Sequence, residues 1–159
     1  MAEQVSISRE ITASPDQVWA MVSDITRMGE WSPENDGGKW LRNATGPQPG
    51  STFQGSNSNG KRSWKTVAKV VDAEPGRIFS FRVKAAGLKI SEWRYEFEPT
   101  TAGCRVTETW IDQRGPIAKA LGGPVSGVAD RASHNRAGME QTLDHLKAAA
   151  ESAAVGNSD

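Results

Sequence analysis

The chain has 159 residues, 36% of them apolar, with 16 glycines besides; that is material for one domain with an ordinary core, and it excludes wholesale disorder. Lys plus Arg and Asp plus Glu number 19 each, so the formal net charge is zero, which argues against a dedicated binder of nucleic acid or anionic membranes. The single cysteine, Cys104, excludes an intrachain disulfide and a thiolate zinc cluster.

Val5 to Thr12 alternates, with Val5, Ile7 and Ile11 on one face, as a half-buried strand does. Ser14-Pro15-Asp16 then opens a helix: Ser14 suits the N-cap, Pro15 the first turn, and Asp16 the helix dipole. A second short helix is expected from Asp24 to Gly29, ended by Trp31-Ser32-Pro33. Beyond it the pattern is strands and turns. Strands are expected at Lys39 to Asn43, Ser51 to Ser56, Arg62 to Ala73, Arg77 to Ala85, Lys89 to Glu98 and Cys104 to Gln113. Asn59-Gly60 marks a hairpin, and the spacing reads as an antiparallel meander. Gly115 to Pro124 carries four Gly or Pro breaks and reads as a loop with at most one helical turn. Gly122 to Gly127 reads as punctuation before a helix. From Val125 or Ser126 to Ala153 a long helix follows. Its stripe of Val128, Ala132, Asn135, Met139, Leu143, Leu146 and Ala150 must face something apolar.

This order is α+β. It describes one curved antiparallel sheet of about seven strands wrapped around a long C-terminal helix, with two short helices between the first two strands. One domain is expected over residues 1–153, with 154–159 a disordered tail. No leader is read in Met1 to Ile11, and no run is long enough to span a bilayer, so a cytoplasmic protein without stable membrane insertion is expected.

Several segments resemble the helix-grip superfamily called SRPBCC, which includes START lipid-transfer domains, polyketide cyclase/dehydrase-like proteins and the birch-pollen-allergen type. Ile-Thr-Ala-Ser-Pro-Asp-Gln-Val-Trp, Ile11 to Trp19, is similar to that family's first strand and helix. Asp24 to Glu34 looks like the second-helix motif of a bacterial cyclase-like branch. Phe53-Gln-Gly-Ser-Asn57 with Trp64, and Glu74-Pro-Gly-Arg77, look like its meander. The resemblance covers about Val5 to Ala149. It implies the helix-grip fold and a cavity between sheet and helix, but no shared catalytic motif to carry over, since fold alone does not define function.

Alternation assigns the inward faces. Six Trp stand against one Tyr, and their placement is the main question. The expected cavity wall holds Trp40, Phe53, Trp64, Phe79, Phe81, Trp93, Tyr95, Glu108 and Trp110 from the sheet, with Asn135 and Met139 from the helix. Ile117 and Leu121 are candidate lid residues over its mouth. Three polar residues fall on the apolar side: Arg9, Glu108 and Asn135. A lone buried carboxylate must pair, reach water or stay protonated. Arg9 and Glu108 could therefore form a structural ion pair, or both could lie in solvent. Alternatively Glu108 orients a ligand or transfers a proton, and it is the sole weak catalytic candidate. Asn135 suits a ligand hydrogen bond or a buried backbone cap equally. His134 and His145 lie well off the stripe and are expected on the surface, too far apart to share a metal. Cys104 is expected to be an inert buried thiol, and Glu92, Arg94, Glu96 and Glu98 a solvated face. No metal or cofactor is expected.

The expected function is binding of an apolar or amphipathic small molecule (lipid, isoprenoid or polyketide-like) by a monomer or homodimer. One alternative is a cyclase or dehydratase using the same cavity, with Glu108, Tyr95 or Asn135 assisting proton transfer. A second is a protein-interaction module, which would need an exposed apolar patch and a filled interior.

Overall fold

The computed structural model describes residues 3–156. Seven strands form one antiparallel sheet: β1 Gln4–Ile11, β2 Asn35–Trp40, β3 Thr52–Asn59, β4 Arg62–Glu74, β5 Ile78–Ala85, β6 Leu88–Pro99 and β7 Cys104–Asp112. Their order is β1-β7-β6-β5-β4-β3-β2. The chain therefore meanders from β2 to β7 and brings β1 alongside β7, with Ile7 opposite Glu108. Helix α1, Pro15–Ser23, and a 3₁₀ helix, Ile25–Glu30, lie between β1 and β2. Ser14 caps α1 by accepting from the Gln17 amide at 3.1 Å, with Pro15 in the first turn. Helices α2, Pro116–Ser126, and α3, Arg131–Gly156, close the chain.

Five expectations are corrected. Gly115 to Pro124 is no loop. Pro116 occupies the first turn of α2, where its missing N–H costs nothing. The breaks at Gly122 to Gly127 start no helix: Gly122, Gly123 and Pro124 lie within α2, and Gly127 ends it, taking a left-handed φ of 75° as its cap. The long helix consequently begins later, at Arg131. Asp130 holds its first turn, accepting from the Ser133 amide at 3.2 Å and hydroxyl at 2.8 Å. At its other end α3 continues to Gly156, so residues 154–156 are helical, while the rest of the expected tail, 157–159, lies outside the described residues. Strand β2 sits earlier than expected because Arg42 and Asn43 turn the chain with φ of 53° and 64°.

The core fills the end of the molecule where α1 and the C-terminal half of α3 press on the sheet. Ile11, Val18, Phe79, Leu143, Leu146 and Ala150 are fully buried there. Helix α3 rests chiefly on β1, and the small and polar residues of its N-terminal half, Ala132, Asn135, Gly138 and Thr142, leave space above the remaining strands.

At the β6–β7 turn Gly103 has a φ of 154°, and a Cβ there would lie 2.5 Å from the Ile11 carbonyl oxygen and 2.7 Å from the Ala13 amide nitrogen. Both are rigid backbone. Gly103→Ala should cost roughly 2–4 kcal/mol in urea unfolding, whereas Gly46→Ala, with open space around it, should change stability by less than about 0.5 kcal/mol.

Candidate functional site

Between the concave face of the sheet and α3 lies a cavity of about 430 Å³. Ordinary cores hold few voids larger than a water, whereas small-molecule sites occupy roughly 300–1,000 Å³. At about 24 cal/mol per Å³ of empty volume, a dry void of this size would cost on the order of 10 kcal/mol. That is a whole domain's stability, so the space holds water or a guest.

Phe53, Trp64, Phe81, Trp93, Tyr95, Glu108, Trp110, Asn135 and Met139 line it; Trp40 and Phe79 do not. Trp40 ends β2 and packs edge-on against Phe53 (5.6 Å between centroids), and Phe79 opens β5 beside Phe81. Phe79 is fully buried in the core, and Trp40 is partly buried and packs against it. Alternation gives the correct face but not the depth along it.

Glu108 occupies the middle of β7, 2% exposed. It does not meet Arg9, whose guanidinium reaches Asp144 on α3 at 2.9 Å and stays partly solvated. Arg9 shares the inward face of β1, but it stands where the helix edge is within reach of its long stem. Instead the Tyr95 hydroxyl donates to Glu108 Oε1 at 2.7 Å, while Oε2 is buried with no partner among the described residues. Burial raises the Glu108 pKa from 4.5 to about 8; the Tyr95 hydrogen bond opposes this only in part. Burial, then the adjacent Glu108, pushes the Tyr95 hydroxyl well above its ordinary 10. At neutral pH the pair is a phenol beside a neutral carboxylic acid.

Trp31, expected only to end a helix, is 4% exposed, lines the cavity and leaves its indole N–H without a partner. Arg27 stacks over its ring at 4.8 Å. A second missed feature is a polar cluster on the cavity wall. Arg131 donates to both oxygens of Glu34 (2.8 and 3.1 Å) and to Asn135 Oδ1 (3.4 Å), and His134 Nε2 lies 2.7 Å from Glu34 Oε2. His134 is thus a wall residue paired to Glu34, not a free surface histidine. The available signal was Arg131, His134 and Asn135 on successive steps of one helical face. His145 is exposed, as expected, with Nδ1 2.9 Å from the Trp31 carbonyl. Arg114 also lines the cavity and forks onto Asp112, with both contacts at 2.9 Å.

Over this end lies α2. Leu121 and Val125 contribute to the wall, yet Ile117, Leu121 and Val125 are half or more exposed along one ridge. On the outer sheet face, Glu92 departs from the expected solvated row: it is buried between Arg82 at 3.6 Å and Arg94 at 3.5 Å. Cys104 is fully buried, and burial raises its pKa, as befits an inert thiol. Among the described residues no three His, Cys, Asp or Glu side chains gather as a metal site, and no helix is long and apolar enough to cross a membrane.

An antiparallel sheet gripping one long helix around an aromatic cavity defines a helix-grip protein. Residues 2–151 match the family described as polyketide cyclase / dehydrase and lipid transport, and the chain belongs to it. A Polyketide_cyc-like protein of Corynebacterium glutamicum is 31% identical over 92% of this chain and 90% of its own, with a TM-score of 0.58. The di-domain ARO/CYC StfQ of the steffimycin biosynthetic pathway superposes with a TM-score of 0.74 at 16% identity, over 97% of this chain and 52% of its own. A Chromobacterium violaceum protein gives 0.68 at 14% identity, over 93% and 97%. At such low identity these last two show the fold alone. No curated protein matches the sequence.

The buried acid sets a pH dependence of stability. Below 4.5 Glu108 is protonated folded and unfolded, and costs nothing. Between 4.5 and about 8 only the unfolded chain releases the proton, so stability falls as pH rises, by about 1.4 kcal/mol per unit. Above about 8 the loss is complete. Glu108→Gln keeps the acceptor for Tyr95 and cannot ionise. The wild-type minus variant difference in urea-unfolding free energy should therefore decline through that window and then level off.

Proposed function

We propose that this protein binds a neutral apolar or amphipathic small molecule in the cavity between the sheet and α3. The observation that carries this is the roughly 430 Å³ of aromatic-walled space between the sheet and α3. Apolar burial supplies affinity at about 25 cal/mol per Å² before ordering costs, and a few buried polar groups set orientation. Helix α2, with five residues on the wall and an apolar outer ridge, acts as the lid; this role extends beyond the expected Ile117 and Leu121 to Val125. The family's description, which pairs cyclase chemistry with lipid transport, supports the same range of ligands. The buried, protonated Cys104 is compatible with a reducing cytoplasmic setting. The interaction-module alternative is the weaker reading: Ile117, Leu121 and Val125 offer the exposed apolar patch it needs, but the cavity runs against its filled interior.

A second reading has its own support. A neutral Glu108 beside Tyr95, shielded from water, has the form of a general acid held near its working pH. An aromatase/cyclase shares the fold. In this reading the cavity folds a poly-β-ketone so that an enol carbon of one unit attacks the ketone carbon of another; Glu108 gives its proton to that ketone oxygen as its C=O π bond breaks, and the enol O–H proton returns to the carboxylate, which leaves Glu108 protonated again.

Protein purified natively should release a stoichiometric small molecule detectable by mass spectrometry, or, if stripped, should bind the neutral dye phenylnaphthylamine. Ala68→Phe, which fills the floor of the cavity, should weaken dye binding by more than tenfold while leaving the circular dichroism spectrum unchanged. No released molecule and no dye binding would refute the binding reading. Turnover of a poly-β-ketone that is abolished by Glu108→Gln without loss of binding would establish the enzymatic one.

A further inference from the structure

Among the described residues the large hydrophobic side chains that stand exposed are Val67, Ile117, Leu121 and Val125, and the last three are 65%, 54% and 50% exposed on α2. Each follows the last by one helical step of four residues, so they form a single ridge. Contiguous exposed apolar surface marks an interaction site. This ridge adjoins the cavity, since Leu121 and Val125 also line its wall.

The rim around α2 is basic. Antiparallel register brings two hairpin tips to this end of the sheet, one closed by Asn59 and Arg62, the other by Ala85 and Leu88. The first touches α2: Asn59 Nδ2 donates to the Ser126 carbonyl at 2.8 Å, and a Cβ on Gly127, the cap of α2, would lie 2.6 Å from Arg62 Nη1. The second supplies Ala85, Ala86 and Leu88 to the same cavity wall. Lys61 and Arg62 stand on the first tip, Lys84 and Lys89 flank the second, and Lys119 stands on α2. All five are exposed, and none forms an ion pair among the described residues. The acids of this end have other partners. Glu34 holds Arg131 and His134, Asp112 holds Arg114, Glu3 lies beside Arg114, Asp36 accepts from the Ser58 hydroxyl, and Asp130 caps α3. Lys84 and Lys89 are direct cross-strand partners, an arrangement of like charges that costs stability. Elsewhere the same sheet opposes unlike charges, Arg82 to Glu92 and Glu98 to Arg105. A chain of zero net charge thus gathers unpaired cations around its one exposed apolar ridge.

We propose that this end of the molecule docks reversibly on an anionic phospholipid bilayer, with the α2 ridge pressed into the headgroup region and the surrounding cations on lipid phosphates. An aliphatic ridge flanked by basic residues is the form of a helix that lies in a membrane interface without crossing it, and each Lys or Arg near such a surface adds to the attraction. Four of the five cations are lysines, compact charges on flexible stems, which suit a mobile field of phosphates better than one fixed anion. A single-stranded nucleic acid fits less well, because no aromatic side chain among the described residues is exposed for bases to stack on. Docked this way, the α2 lid faces lipid instead of water, and a poorly soluble guest is exchanged there; that last role rests on the ligand-binding reading above.

The test is co-sedimentation with vesicles of phosphatidylcholine alone and of phosphatidylcholine and phosphatidylglycerol in equal parts. Wild type should bind the mixed vesicles, release them as salt is raised, and leave the neutral ones in solution. Lys84→Glu should lower partition onto mixed vesicles by about tenfold while raising the urea midpoint, because it turns a like-charge pair into a complementary one; a merely structural role would not separate the two readouts. Arg77→Glu makes the same change in net charge at the opposite end of β5, where its side chain is exposed, and should leave partition unchanged. Ile117→Ser combined with Leu121→Ser should lower partition by about tenfold or more with the circular dichroism spectrum unchanged. No binding by wild type, equal binding to both kinds of vesicle, or equal loss in Lys84→Glu and Arg77→Glu overturns the proposal. A concentration-dependent dimer that the two serines abolish, without vesicle binding, also overturns it and assigns the ridge to a second copy of the chain. Phenylnaphthylamine binding in vesicle-free solution tests the cavity separately: a protein that takes up dye but no vesicle loses the dock alone, and one that binds vesicles but no dye keeps the dock and loses the ligand-binding reading.

Discussion

The position of α3 on the sheet decides most of what this molecule is. The helix lies along β1, at the sheet's edge, and its Leu143, Leu146 and Ala150 are driven into the core there. One helix cannot also cover the concave faces of β3, β4, β5 and β6. Those strands carry Phe53, Trp64, Phe81 and Trp93, and with Ala132, Gly138 and Thr142 opposite them the space stays open. The solid end holds the fold together, and the open end is free to serve a guest.

Glu108 stands at the boundary between these two ends. Ile7 beside it belongs to the packed region, and Trp110, two residues on, faces the cavity. A carboxylate in such a place would be very expensive without a cation, and none is adjacent. The protein instead keeps the proton, with Tyr95 holding the carboxyl in one orientation. A side chain that weakens the fold at neutral pH is understandable beside a binding site, since strained or costly groups concentrate where function needs them.

Strand positions were legible because period-two alternation is strong in this chain, above all in Trp93, Tyr95 and Phe97, and nearly all the expected wall residues follow from it. Depth along the sheet was not legible, which is why Trp40 and Phe79 were placed in the cavity instead of in the floor beneath it. Helix α2 was hidden by its prolines and glycines. Pro116 sits where a helix tolerates it, and Gly127 ends the helix rather than disrupting its interior. Arg9 was read against the wrong partner because alternation fixes a face but not which element crosses it. Trp31 and the Glu34 to Arg131 contact depend on a loop meeting the first turn of α3 from about a hundred residues away, and no local pattern encodes that meeting. Family resemblance anticipated the architecture and, rightly, no reaction.

The central claim is that the cavity wall carries a neutral, buried carboxyl at Glu108. Its most direct test is a carbon-13 NMR titration of the Glu108 side-chain carboxyl, assigned by comparison with Glu108→Gln. The account predicts a single transition near pH 8, with the protonated chemical shift persisting at neutral pH. A transition near 4.5, the ordinary value for a solvated glutamate, would contradict it.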